Sequence, residues 1–177
     1  MTFKDFLPKP ARLPILILCL ASFSAKAKPD SVAITQTLVN QYVDGWQKKS
    51  GDLFARPFAD DAHFVNIFGM HFTGKKKNAQ RHQKIFDGFL KGTNFVTKSI
   101  KASKLRENII VAHVVWKLEN FQSDYCQANP KENSLRCPRK GIFNHVLTKK
   151  KSKVNEWEII ETQNTLILPP PSKKHSS

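Results

Sequence analysis

Two polar side chains stand among apolar neighbours where chemistry is possible. Asn66 lies in FADDAHFVNIFG (Phe58–Gly69), and His82 lies in the following stretch, whose apolar members are Ala79, Ile85, Phe86 and Phe89. An imidazole in an apolar wall can titrate near neutral pH and serve as general base or acid. A carboxamide facing it could orient a carbonyl or stabilise negative charge developing there. Together they would suit proton transfer on a small, largely apolar molecule by enolisation, cyclisation or dehydration. His145, Gln163 and Asn164 are further polar candidates, and Tyr42, Trp46, Phe64, Phe86 and Trp116 are candidate walls. The same residues would equally line a pocket that only binds. A lone histidine on an apolar helix face is more often a hydrogen-bonded core residue.

The elements that must position these residues follow from periodicity. Ala62–Phe68 alternates, with Phe64, Asn66 and Phe68 on one parity, as a strand requires. Gly69 and Gly74 allow turns on either side of a short second strand. From Lys75 the period becomes helical: Ala79, His82, Ile85, Phe86 and Phe89 form one stripe. If strand and helix line one interior, Asn66 and His82 face each other across it. Upstream, Ile34, Leu38, Tyr42 and Trp46 fall four apart in a helix over 31–49, capped by Asp30 or Ser31 and ended by Gly51. A short helical segment over 52–58 breaks near Pro57, and Asp60 and Asp61 read as capping or turn residues before the first strand. Strands follow at 95–106 and 109–120, the second apolar on both parities and so expected to be central and buried on both faces. A last hairpin spans 141–149 and 156–168. The interior parity of its final strand stays open between Glu161 and Gln163 on one side and Asn164 on the other. Three helices with a short hairpin among them, then four long antiparallel strands, make an α+β architecture of helices on a strongly curved sheet.

The ends and the charge set the context. Met1–Ala27 has a positive start, the apolar run 13–23 and Ala25-Lys26-Ala27, the layout of a secretory leader cleaved near Ala27. Residues 28–168 then form a single domain, and 169–177, opening on three prolines, form a tail. Removing Cys19 with the leader leaves Cys126 and Cys137, expected as a disulfide on the polar excursion 121–140 of a periplasmic or secreted protein. Membrane contact is expected only through the leader. The chain carries 29 Lys and Arg against 14 Asp and Glu. Its lysines sit at segment ends and turns without interleaved aromatics, which argues against nucleic acid as a partner. The six histidines show neither HxH nor HExxH spacing, so no metal is expected. There is no GxGxxG, haem or flavin motif, so no cofactor is expected and hydride chemistry has no support.

Trp46, FADDAHFVNIFG, Gly74, the His82…Phe86 pair and the ending EWEIIETQNTLI (156–167) together resemble the SgcJ/EcaC branch of the SnoaL-like proteins, in the nuclear transport factor 2-like (cystatin-like) superfamily. The resemblance runs from about Ser31 to Leu168, and departs at the cysteine-bearing excursion and the export leader. It implies a cone-shaped α+β fold with an apolar pocket, often dimeric through the open sheet face. It further implies a small apolar ligand, with cofactor-independent isomerase, cyclase or dehydratase chemistry in some members and binding alone in others. The carboxylate base of the isomerases and cyclases has no clear counterpart here, although Glu161 lies in the right strand.

Overall fold

The computed structural model describes residues 30–150 and 156–168. The leader, the 151–155 turn of the last hairpin and the 169–177 tail lie outside the described residues. Helix α1 (Ser31–Gln47) is followed by α2 (Gly51–Ala55), β1 (Phe58–Val65), β2 (His71–Thr73) and α3 (Lys75–Asp87). Then come β3 (Asn94–Arg106), β4 (Ile109–Glu119), α4 (Asp124–Ala128), β5 (Lys140–Lys149) and β6 (Trp157–Leu166).

The strands form one six-stranded sheet in the order β2-β1-β6-β5-β4-β3. β3 to β6 make an antiparallel meander, and β2 pairs antiparallel with β1. β1 runs parallel to β6, the one junction that departs from an antiparallel sheet. Register shifts interrupt the ladders between Thr97 and Ser99, between Val146 and Leu147, and between Phe58 and His63. Each inserts extra backbone into one strand, which bends it and increases its twist. The sheet therefore curves around the helices.

Several local expectations are corrected. Asp60 and Asp61 are not turn residues but lie within β1, both exposed where the β1–β6 register shifts. The irregularity lets two successive residues face water, and Asp60 pairs with Lys75 at 2.8 Å. Asp30 occupies the N-cap of α1, but its side chain makes no capping bond. α1 does not run on to Gly51. It closes at Lys48, with Lys49 left-handed (φ 53°), Lys49 N–H donating to Trp46 O and Ser50 N–H to Gly45 O, a Schellman ending with lysine where glycine is usual. Gly51 instead begins α2, where a Cβ would stand 2.1 Å from the Ala79 carbonyl oxygen. Likewise a Cβ on Gly45 would lie 2.1 Å from Phe54 N. These two glycines let the backbones of α1, α2 and α3 approach one another. α3 ends at Asp87, so Phe89 leaves the stripe and is 46% exposed. β4 is buried on one face only: Ile110, Ala112, Val114, Trp116 and Leu118 point inward, while Ile109, Val111 and Val115 are half-buried on the outer face.

The core between helices and sheet is largely aromatic. Tyr42, Trp46, Phe54, Phe58, Phe64, Phe86, Phe95, Trp116 and Phe143 are all buried, most with ring neighbours at 5–6.5 Å. Each such side chain contributes about 2–3 kcal/mol by leaving water. Cys126 and Cys137 form a disulfide, and both are buried in the same core. The excursion they staple contains α4, a helix that its polar composition did not announce. Asn133 ties it to the sheet, donating to Lys140 O at 2.9 Å and Ile167 O at 2.6 Å.

Candidate functional site

The helices, β1 and the strongly bent strands enclose a cavity of about 80 Å³ at one end of the sheet. α1 places Trp46 in its wall because Tyr42 and Trp46 sit one turn apart on the buried stripe. Trp46 Nε1–H is held by Thr93 O and Oγ1 at 3.2 and 3.3 Å. Phe64 comes from β1, Phe95 from β3, Trp116 and Leu118 from β4, and Phe143 from β5. The polar groups of the wall are Asn66, Arg81, His82 and Asn164. Among the described residues no carboxylate, hydroxyl, thiol or amine lines it.

Each polar wall group is already partly committed, and the commitment decides what it can offer. His82 is 4% exposed and stacks on Phe54 with ring centroids 3.7 Å apart. Its Nδ1 lies 3.0 Å from Asn78 O. A carbonyl only accepts, so Nδ1 carries the proton and Nε2 keeps a lone pair. Burial pushes the His82 pKa down to about 3, with the Asn78 bond opposing and Arg81 adding to the fall. Near neutral pH the ring is an uncharged acceptor and a weak base. Asn164 Oδ1 accepts from Trp116 Nε1 at 3.1 Å, so its Nδ2 is the group left to donate. Asn66 Oδ1 accepts from the Phe68 and Met70 amides, both at 2.9 Å. Asn66 thus organises the turn between β1 and β2, closed by Gly69 at φ 75°, and only its Nδ2 remains for a ligand.

The structure brings together six of the ten sequence candidates: Asn66 and His82, with Trp46, Phe64, Trp116 and Asn164, all line the cavity. Four do not. Tyr42 and Phe86 are buried behind the wall. His145 also faces inward but lies deeper, its Nδ1 2.8 Å from Thr162 Oγ1 and its ring against Tyr42. Burial pushes its pKa to about 3 as well. Gln163 is exposed on the outer face and Glu161 is its neighbour there. The inner polar residue of β6 is therefore Asn164, because the register shift at Val146–Leu147 reverses the parity of β6 after Ile159. Sequence reasoning missed Arg81, Pro138, Phe95 and Phe143 as wall residues. Arg81 was the findable one, since it precedes His82 at the edge of the apolar stripe of α3.

The fold matches solved structures. A Nostoc punctiforme domain of unknown function with a cystatin-like fold is 26% identical, covering 79% of each chain, with a TM-score of 0.66. An NTF-2 like protein from Shewanella oneidensis is 14% identical over 75% of this chain and 96% of its own, TM-score 0.53. A scytalone dehydratase candidate from Novosphingobium aromaticivorans is 11% identical over 76% of this chain and 83% of its own, TM-score 0.57. The fold is cystatin-like. No protein-family model matches the chain, and no curated protein matches it by sequence. No helix among the described residues is long and apolar enough to cross a membrane.

Proposed function

We propose that this chain is an exported small-molecule-binding protein of the SgcJ/EcaC branch, whose cavity receives the apolar end of a ligand. The observation that carries this is the wall itself: aromatic and aliphatic, with neutral hydrogen-bonding groups, one guanidinium, and no nucleophile or carboxylate base. Export rests on the leader pattern at 1–27 and is in keeping with the disulfide. A cavity of about 80 Å³ is roughly half the 150 Å³ that holds a benzene molecule, so it accommodates only the tip of a larger ligand. Protein purified from its source cells and denatured should release a small molecule in stoichiometric amount. Ile85→Trp, which puts an indole ring in place of an aliphatic wall residue, should release much less. Equal yields from both proteins, or nothing from either, would sink the binding reading.

A proton-transfer enzyme is the second reading, favoured by the Nε2 lone pair of His82 in the cavity wall and by the scytalone dehydratase name attached to one fold neighbour. It asks a ring with a pKa near 3 to act as a base, which is far from the near-neutral value that general catalysis favours. His82→Gln keeps a polar side chain at the wall. It should leave ligand release unchanged if the protein only binds, and abolish turnover of the released molecule if it is an enzyme.

Dimerisation through the outer sheet face belongs to the same proposal. Val111 and Val146 are cross-strand partners there, flanked by Ile109, Val115, Ile142 and Ile160, all half-buried.

A further inference from the structure

Outside the cavity lies a groove of about 330 Å³ that shares Phe68, Arg81, Ile85 and Phe89 with it. Three of its side chains are large, apolar and exposed: Phe68 at 50%, Phe89 at 46% and Leu135 at 50%. Three are cationic: Arg81, Lys84 and Arg136. No acidic residue lines the groove or the cavity. Among the described residues the Arg81 and Lys84 side chains have no ion-pair or hydrogen-bond partner, whereas five other lysines are paired with carboxylates. Arg136 is held over the Tyr125 ring at 3.3 Å. Its charge helps to keep the Glu132 carboxyl below its ordinary range, behind hydrogen bonding from Ser134.

Arg81 is the junction, because it lines both spaces. A half-buried guanidinium without a carboxylate partner, at the neck between an apolar cavity and an apolar groove, is a receptor for a planar anion. From this geometry, and resting on the binding reading above, we propose that the ligand is an amphiphilic carboxylate. Its apolar end enters the cavity between Trp46, Phe64 and Trp116. Its carboxylate lies in the neck on Arg81, and the rest of its body covers Phe68, Phe89 and Leu135. The planar fork of Arg81 at the neck matches the two oxygens of a single carboxylate.

The test compares octanoate with 1-octanol by isothermal titration calorimetry on the purified chain near pH 7.5, which changes the head group and keeps the tail. Octanoate should bind at least tenfold more tightly than octanol, the factor expected for a charge-assisted hydrogen bond. Arg81→Gln should erase that preference by weakening octanoate at least tenfold more than it weakens octanol. Equal binding of the two by the wild-type protein would overturn the carboxylate inference and leave the apolar pocket standing. Binding of neither would overturn both. The wild-type comparison holds even if Arg81→Gln fails to fold. If the variant folds and still binds octanoate like the wild type, the role of Arg81 is refuted.

Discussion

The two buried histidines make stability sensitive to mild acid, and the size of the effect follows from their surroundings. Burial lowers the pKa of His82 and of His145 from the ordinary 6.5 to about 3. As pH falls through 6.5 the unfolded chain takes up both protons, while the folded chain takes them only near 3. Between these values the unfolded state binds more protons, so stability falls with decreasing pH. Each histidine costs about 2 kcal/mol between pH 7 and pH 5, and the two together cost about 4. That is a large share of the roughly 5–15 kcal/mol by which domains are folded. Three carboxylates add losses of the same sign, mainly below pH 5 as pH falls past their unfolded values. Lys75 holds Asp60, Lys117 holds Glu119 and the Ser134 hydroxyl holds Glu132 below the usual carboxylate range.

Urea unfolding followed by tryptophan fluorescence at pH 7, 6 and 5 measures this loss. His82→Phe then isolates one contribution. Its ring can keep the stack on Phe54, and the Asn78 carbonyl retains its helical amide donor. The variant should lose about 2 kcal/mol over the same range where the wild type loses about 4. Wild-type stability that is flat from pH 7 to pH 5 would refute the reasoning. So would an unchanged pH dependence in His82→Phe, because the histidines would then not be buried and neutral as the structure places them.

Three further perturbations test other parts of the molecule. Gly51→Ala drives a methyl against the Ala79 carbonyl and should cost about 3 kcal/mol, a drop of about 6–12 °C in Tm for a domain of this size; an unchanged melt would contradict the α2–α3 contact. Reducing Cys126–Cys137, or replacing both with serine, releases a loop of sequence separation 11 and should lower stability by about 3 kcal/mol on the chain-entropy model; urea midpoints with and without reductant measure it. Val146→Glu puts a charge in the middle of the half-buried outer face and should turn a dimer into a monomer in light scattering; a dimer that persists in the variant would place the interface elsewhere.

The fold was legible where one period ran unbroken. Tyr42 and Trp46 on α1, Ala79, His82 and Phe86 on α3, and Phe143, His145 and Leu147 on β5 all face inward as their spacing implies. Failures cluster where backbone geometry interrupts the period. Asp60 and Asp61 looked like turn residues because two polar neighbours cannot both belong to an ordinary alternating strand. The β1–β6 irregularity makes room for both. β4 looked buried on both faces because its outer Ile109, Val111 and Val115 are apolar. Their half-exposure reflects a face that the helices do not cover.

The candidate site shows the same division more sharply. In β6, Gln163 shares parity with Trp157 and Ile159, so an uninterrupted strand would aim it inward and Asn164 outward. The register shift against β5 reverses this and gives Asn164 to the cavity, where Trp116 fixes its carbonyl. Residue types alone could nominate His82 and Asn66 as a base and an electrostatic partner. Their roles depend on which atoms are already spent. Asn66 has given its carbonyl to the 66–70 turn, and His82 donates its Nδ1–H to Asn78 O. What faces the cavity is therefore a lone pair and two amide donors, with Arg81 at the neck. Such a set recognises a ligand through hydrogen bonds and charge, and its chemistry is that of binding before it is that of proton transfer.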